Sequence, residues 1–263
     1  PYSLAAADLY DQLDNQVSRL AALWSAASAY EHLEQFEEAV NHYLVVEQIA
    51  DRLGMTLRQG KTLHNIAVCY EFLNNRHAAI DFCHKALPLM IDLSNHLNQA
   101  EIHKTLGENY FKLQQFENAL DHFEKSIDCY KKLKAHNLYV AAWIRILETQ
   151  IRLQRWTEAE SVFKICQAHQ NALRDPDTKH KVMQIEAQLY AHRGEHQVAL
   201  ALLDLVEIEY REFSDIEGLA STGLLKAHFY SSLNNLEDAA TALEQAQLLC
   251  GRQGLSDSPK CLF

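Results

Sequence analysis

Histidines and cysteines are the side chains of this sequence that could bind a metal ion. His192 and His196 stand four positions apart, the spacing of a metal-binding pair on one helix, but Gly194 between them predicts a turn. The Cys83-His84 pair has no second pair at the spacing of a zinc site, and none of the six cysteines forms a Cys-x-x-Cys pair. We therefore expect no metal site and no cofactor.

Catalytic chemistry would need a nucleophile, a general base or a phosphate-binding loop in a recognisable arrangement. The sequence contains neither the dinucleotide-binding pattern Gly-x-Gly-x-x-Gly nor the P-loop pattern Gly-x-x-x-x-Gly-Lys-Ser/Thr. The nucleophile pattern Gly-x-Ser-x-Gly is also absent. Carboxylates are abundant, and four of them cluster at Glu31, Glu34, Glu37 and Glu38. We interpret this cluster as solvated surface, or as a contact for a basic partner. The sequence predicts no catalytic residues and a segment that is not an enzyme.

The overall composition narrows the range of partners. The chain has 263 residues and a formal net charge of −11, which disfavours binding to the phosphates of nucleic acids. No basic run is present to favour a membrane surface, and no apolar run approaches the roughly 18 residues of a spanning helix. Six irregularly spaced cysteines fit buried free thiols in a reducing compartment. We therefore expect a cytoplasmic location, with no nucleic acid and no membrane as partner.

A 40-residue repeat supplies the elements that must position every side chain. A tyrosine recurs every 40 residues, except that Gln150 occupies the position once. An alanine follows nine residues after this position in all six repeats. The tyrosines are Tyr30, Tyr70, Tyr110, Tyr190 and Tyr230, and the alanines are Ala39, Ala79, Ala119, Ala159, Ala199 and Ala239. A fixed period of this length predicts a solenoid.

Within one repeat, the hydrophobic spacing predicts two helices. Leu106, Tyr110 and Leu113 share one helix face, a short turn follows, and Phe116 and Ala119 begin a second amphipathic helix. The predicted fold class is therefore all-α, an α-solenoid of six αα-hairpins. Polar stretches at 54–60 and 94–98 are interpreted as connections between repeats, and Pro88 is predicted to kink or end its helix.

The residues of this repeat resemble the tetratricopeptide repeat. In repeat 3 the pattern is Gly107, Tyr110, Leu113, Phe116, Ala119 and Phe123. The period of 40 rather than the usual 34 is similar to a long-period subclass found in kinesin light chains, Pins/LGN polarity adaptors and bacterial regulators of the Rap and MalT type. The resemblance implies a right-handed superhelix. It also implies an N-terminal helix or cap at 1–19, six repeats at 20–250, and a C-terminal linker or cap remnant at 251–263.

In that family the first helix of each repeat lines a concave groove, so the resemblance implies where a partner would bind. Trp24 has two interpretations, a ligand-facing ring or packing on the N-terminal helix. Asn65 matches an asparagine that can bind a peptide backbone. The groove candidates are Trp24, Lys61, His64, Asn65, Lys104, Thr105, Glu108, Arg145, Glu148, Arg152, Lys181 and Gln184. The implied partner is a protein or extended peptide with acidic and apolar side chains, and a homodimer is an alternative.

The resemblance favours a binding module that performs no catalysis. The leading hypothesis is the sensory or docking segment of a larger bacterial signalling or regulatory protein, such as a diguanylate cyclase, a kinase or a transcription regulator. An alternative is a self-contained scaffold or adaptor of the Pins/LGN type that links two proteins. The last alternative, a Rap-like phosphatase, is disfavoured because Rap-type proteins act through an additional N-terminal helical bundle, which we do not expect in this segment.

Overall fold

The structure is a computed structural model that describes residues 2–133, 139–168 and 176–252. Within these ranges the chain forms thirteen α-helices and no strand. In chain order they are α1 (Tyr2–Gln12), α2 (Gln16–His32), α3 (Phe36–Arg52), α4 (Thr56–Phe72), α5 (Arg76–Asp92), α6 (His96–Lys112), α7 (Phe116–Lys132), α8 (Tyr139–Arg152), α9 (Trp156–Ala168), α10 (Pro176–His192), α11 (His196–Glu212), α12 (Ile216–Ser232) and α13 (Leu236–Arg252).

The helices belong to two compact units, Pro1–Leu153 with α1 to α8 and Gln154–Phe263 with α9 to α13. Within each unit, helices that follow one another in the sequence pack against each other. Within the units the paired helices are α2 and α3, α4 and α5, α6 and α7, α10 and α11, and α12 and α13, and α1 precedes the first pair. The predicted all-α solenoid of helical hairpins is confirmed. Residues 253–263, within the predicted C-terminal linker, lie outside the described residues.

The connections between helices follow a 20-residue rhythm. After α2, the N–H of Gln35 donates to the carbonyl of Tyr30 at 2.9 Å and the N–H of Glu34 donates to that of Glu31 at 3.0 Å, which is a Schellman motif. Glu34, the middle residue of this three-residue connection, has a positive φ. Positive φ values recur every 20 residues, or after 40 where a connection lies outside the described residues, at Asp14, Glu34, Gly54, Asn74, Ser94, Gln114, Gln154, Gly194, Ser214 and Asn234.

These motifs correct the predicted connections between repeats. α4 already begins at Thr56 and α6 at His96, so most of the stretches 54–60 and 94–98 is helical. The three-residue connection between repeats is as short as the turn within a hairpin. The six extra residues of the long period therefore lengthen the helices, which reach 17 residues in α2 to α7.

The repeated alanine lies where the helices approach most closely. Ala39, Ala79, Ala119, Ala159 and Ala199 are all fully buried, as a close helix contact requires. Ala239 in the last helix is only partly buried. The repeated tyrosine packs beside this contact, because its ring lies against the residue twelve positions later on the second helix of its own hairpin. Tyr30 stacks on His42, Tyr70 on Phe82 and Tyr110 on His122.

Two local predictions need correction. α5 continues past Pro88 to Asp92, so the predicted end of the helix at this proline is wrong. Four cysteines are free and buried as predicted, namely Cys69, Cys83, Cys129 and Cys166. Cys250 is disulfide-bonded instead, so it is an exception to the predicted free thiols. None of the described helices combines the length and the apolar character needed to cross a bilayer.

Candidate binding face of the first helices

In the first unit, side-chain pairs join the first helix of one repeat to the first helix of the next. His64 Nε2 on α4 lies 2.9 Å from Thr105 Oγ1 on α6, and Lys112 Nζ on α6 lies 3.1 Å from Glu71 Oε1 on α4. On α8, Arg145 binds Glu108 of α6. We call the surface formed by α2, α4, α6 and α8 on this side the first-helix face. Because cross-helix bonds fix its spacing, a ligand would meet a preformed surface.

Arg145 is the most strongly bound residue of this face. Its Nε donates to Glu108 Oε1 at 2.7 Å and its Nη2 to Glu108 Oε2 at 2.5 Å, a bidentate pair, and Nη1 donates to Glu148. The guanidinium also lies 4.5 Å from the centroid of Phe111. Burial alone would lower the pKa of Arg145, but Glu148 and Glu108 raise it above its ordinary value. Its charge is therefore matched by two carboxylates within the chain.

His64 and Thr105 form a neutral link in the same face. The Thr105 hydroxyl donates to the carbonyl of Glu101 at 3.1 Å, so it accepts from His64, and the ring proton of the histidine is assigned to Nε2. Burial lowers the pKa of His64 to about 4. The ring is therefore uncharged at neutral pH and joins two helices without adding charge to the face.

Lys61, Lys104 and Phe72 are the side chains of this face most available to a ligand. Lys61 is exposed, and Phe72 on the same helix is 63% exposed, although one face of its ring stacks on Phe36 of α3 with the centroids 4.6 Å apart. Lys104 lies 3.1 Å from Glu101 Oε2 and keeps 44% of its side chain in solvent. Asn65 is less free, because its Nδ2 donates to the Tyr43 hydroxyl at 3.1 Å. The face therefore offers two accessible ammonium groups and an exposed ring.

Trp24 packs inside the first unit. Its ring lies edge-on to Tyr43, with centroids 6.3 Å apart, and the Arg58 guanidinium lies 5.0 Å from its centroid. It also packs against a cluster that includes Ala7 of α1 and Val46 of α3. These contacts favour the packing interpretation of Trp24 over the ligand-facing one.

Three candidates remain, one on α8 and two on α10. Arg152 is exposed near the end of α8 in the first unit. Lys181 and Gln184 lie on α10 in the second unit, where Gln184 is buried and its Nε2 donates to Ser221 Oγ at 3.0 Å and Thr222 Oγ1 at 2.8 Å. Gln184 therefore bridges α10 and α12 as a structural residue.

A group that the sequence did not single out lies between α6 and α7. The Nδ1 atoms of His103 and His122 are 3.0 Å apart, and His122 stacks on Tyr110. Burial lowers the pKa of both histidines to about 4. The 19-residue separation carries no recognised motif, so only the repeat register could have suggested that they meet. Among the described residues, no group of three or more His, Cys, Asp or Glu is arranged to hold a metal ion.

Comparison with known proteins identifies the repeats. Residues 58–132 match the tetratricopeptide repeat family. No curated protein is similar enough in sequence to count as a relative. This match covers two central repeats, α4 to α7, so the chain contains tetratricopeptide repeats there, and helical hairpins of the same kind occur in both units.

Solved structures share this fold at low sequence identity. The apo form of RapI is 13% identical, with a TM-score of 0.70 over 98% of each chain. A protein of Podosopora anserina described as a kinesin light chain with nearly identical TPR-like repeats is 18% identical, with a TM-score of 0.60 over 74% of this chain and 96% of that one. The Rap conjugation gene regulator of plasmid pLS20, in complex with the Phr* peptide, is 13% identical, with a TM-score of 0.62 over 90% of this chain and 64% of that one. Two of the four long-period types that the repeat length suggested, Rap proteins and kinesin light chains, are thus among the structures of similar fold.

Proposed function

We propose that the first-helix face binds an extended segment of a partner polypeptide and performs no catalysis. The observation that carries this proposal is the set of cross-helix bonds, which hold α4, α6 and α8 in register while Lys61, Lys104 and Phe72 remain accessible. A regular, preformed surface with an exposed ring and ammonium groups suits a peptide with apolar and acidic side chains. The peptide complex of the pLS20 Rap regulator, which has the same fold, supports the choice of ligand class.

The charged residues of the first-helix face differ in how well they can be mutated to test peptide binding. Arg145 and Glu148 belong to one ion-pair group with Glu108, so a change at Arg145 would disturb the helices as well as any ligand. Lys61 and Lys104 carry charge at the surface with little structural role. They are the residues through which an acidic peptide is best probed.

The test is photo-crosslinking in the source cells. A photoreactive phenylalanine analogue at Phe72 should capture a partner, and the double variant Lys61→Glu/Lys104→Glu should reduce that capture at least tenfold. Lys125→Glu is the matched control, because Lys125 is exposed on the second helix α7 and pairs only with Asp121 of its own helix. Equal capture by the double variant and the wild type would exclude the first-helix face as the binding site.

We further propose that this binding serves as the docking or sensory step of a signalling or regulatory protein in the cytoplasm, or of an adaptor that joins two proteins. The gene-regulating Rap protein of similar fold supports the first role, and the kinesin light chain supports the second. Sequencing the gene on both sides of this segment separates them. A cyclase, kinase or DNA-binding domain would support the signalling role, whereas further repeats alone would support the adaptor.

A homodimer is proposed only at the last helix. The side of α13 that carries Leu236 and Leu243 is open, and these residues are 66% and 41% exposed. Exposed apolar side chains on one side of a repeat helix favour packing against another helix, which a second copy of the chain can supply. Light scattering over a range of concentrations tests this, because Leu243→Lys should abolish any dimer. A wild type that is monomeric at every concentration would refute it.

A further inference from the structure

The second unit contains a cavity that the repeat pattern does not predict. It has a volume of about 380 Å³, is open to solvent, and lies among α11, α12 and α13. Its apolar wall is formed by Leu219, Gly223 and Tyr230 of α12 and by Ala242, Ala246 and Leu249 of α13.

The repeat register shows which side chain is missing. Tyr30, Tyr70 and Tyr110 each stack on a ring twelve positions later, and these rings belong to His42, Phe82 and His122. The ring centroids are 5.2, 5.5 and 5.4 Å apart, with interplanar angles of 13°, 23° and 9°. In repeat 5, Tyr190 packs in one cluster with Leu202. In repeat 6 the position twelve residues after Tyr230 is Ala242, which has no ring to place against it.

A second large side chain is missing on the facing helix. The position of Gly223 is occupied in the earlier repeats by Leu23, Leu63, His103, Trp143 and Met183. A Cβ on Gly223 would lie 3.1 Å from the Ala246 Cβ, so α12 and α13 already approach closely there. Neither Gly223 nor Ala242 supplies a large side chain beside Tyr230, and all three residues line the cavity.

The cations around the cavity are paired inside the chain, and the carboxylate of Asp238 in its lining accepts a hydrogen bond from Asn235 Nδ2 at 2.6 Å. Lys226 is bound by Asp204 and Glu207 of α11, and Arg211 is bound by Glu207 as well. The cavity therefore has no unmatched cation that would select an anionic ligand. Thr241 and Gln245 at its edge can form hydrogen bonds with a polypeptide backbone.

We propose that this cavity binds an aromatic side chain of a partner polypeptide, which stacks on Tyr230 in the place that His42, Phe82 and His122 occupy in the earlier repeats. The volume allows this, because an apolar cavity of about 150 Å³ already holds benzene. A side chain of a polypeptide fits better than a free ring, because the polar edge can bind the flanking peptide groups. This site is separate from the first-helix face, since it lies in the second unit and uses the second helices α11 and α13.

The test uses the full chain and a defined probe, the blocked peptide N-acetyl-Gly-Ala-Phe-Ala-Gly-amide. NMR of protein labelled on tyrosine, with the Tyr230 signal assigned from Tyr230→Phe, should show a saturable shift of that signal. The same peptide with alanine in place of phenylalanine should give none. N-acetyl-phenylalaninamide should bind at least several-fold more weakly than the peptide. Equal binding would show that the cavity takes a free aromatic molecule and would overturn the polypeptide assignment.

Filling the cavity supplies the decisive variants. Ala242→Phe should raise the melting temperature and abolish the Tyr230 shift, whereas Ala240→Phe on the exposed side of α13 should leave it unchanged. Ala242→Leu, which copies Leu202 of repeat 5, should also weaken the shift at least several-fold and serves if the larger ring prevents folding.

In the converse experiment, Phe82→Ala should create probe binding beside Tyr70. A Tyr230 shift that persists in both Ala242 variants, or no shift in the wild type, would overturn the proposal. Lys61→Glu/Lys104→Glu should leave this binding unchanged, so the result is independent of the first-helix face.

Discussion

Gly107 and Gly60 offer a direct test of how the first unit is packed, because an added methyl group would meet different neighbours at the two sites. Both glycines lie inside helices and are buried. A Cβ on Gly107 would lie 2.5, 2.6 and 2.9 Å from three carbons of the Phe123 ring, and that ring has no exposed surface. A Cβ on Gly60 would instead meet the terminal methyl group of Met90. A rigid buried ring cannot move aside, whereas a methionine end can turn away.

The expected free energies have opposite signs. Replacing glycine by alanine in a helix interior stabilises by about 1 kcal/mol. Forcing an extra carbon into a filled core costs about 1–3 kcal/mol, and the three short contacts at Gly107 place that site near the upper end. Gly107→Ala should therefore lower the free energy of unfolding by about 2 kcal/mol. Gly60→Ala should leave it unchanged or raise it by up to about 1 kcal/mol.

Urea unfolding followed by circular dichroism measures both values. The cause can be isolated with Phe123→Leu, because Gly107→Ala should cost less in that background, with a coupling of about 1–2 kcal/mol. If Gly107→Ala is as stable as the wild type, or if Gly60→Ala loses as much as Gly107→Ala, the packing described for these helices is wrong.

Three further predictions concern the same unit. Arg145→Met should lower the free energy of unfolding in urea by about 2–3 kcal/mol, because it leaves the carboxylates of Glu108 and Glu148 unpaired and their side chains are only about a quarter exposed. Arg145→Lys should lose less stability, and an equal loss would contradict the role of the bidentate pair. His103 and His122 have folded-state pKa values of about 4, below their ordinary value of about 6.5. The unfolded state therefore binds more protons between these values, and stability should fall by roughly 1–2 kcal/mol per ring from pH 7 to pH 5. The variant His103→Leu/His122→Phe should flatten this dependence, and an unchanged slope would contradict it. Ala119→Leu should cost about 1–3 kcal/mol by overpacking, and an unchanged melting temperature would show that the site is not a close helix contact.

Repeated positions could be predicted from the sequence because the same physical demand recurs at each of them. The repeat period alone located the recurring alanine and tyrosine positions, but it did not show that each tyrosine ring stacks on the second helix of its own hairpin. The connections between repeats were predicted less well, because the polar stretch that ends in Gly60 suggests a loop. In the structure Gly60 is a buried helix residue whose missing side chain leaves room for Met90. Gly60 therefore lies in a helix and packs beside Met90, and a single sequence does not separate such a glycine from one in a turn.

The binding face shows a second limit of prediction from sequence. The repeat register predicted a groove position for Arg145, His64 and Gln184, but it could not show which residues of the chain they bind. Arg145 meets Glu108 from 37 positions away, and His64 meets Thr105 from 41 positions away. Both separations are close to one repeat. Side chains at matching register on neighbouring first helices therefore bind each other before any ligand arrives.

Residues that differ from the repeat pattern can create a local site at a fixed position of this fold. In each hairpin a space lies between the repeated tyrosine and the second helix. The side chains that border this space differ among repeats 2, 3 and 6. In repeat 2, Leu63 and Phe82 fill it with apolar groups, and in repeat 3 His103 and His122 fill it with a pair that shares a proton. In repeat 6, Gly223 and Ala242 leave it open. Since the backbone around this place is set by the 20-residue rhythm of helix ends, two substitutions change its chemistry without changing the fold. A solenoid can therefore gain a pH-sensitive pair or a ligand cavity at a fixed position, and the repeat that departs most from its neighbours is where binding should be sought.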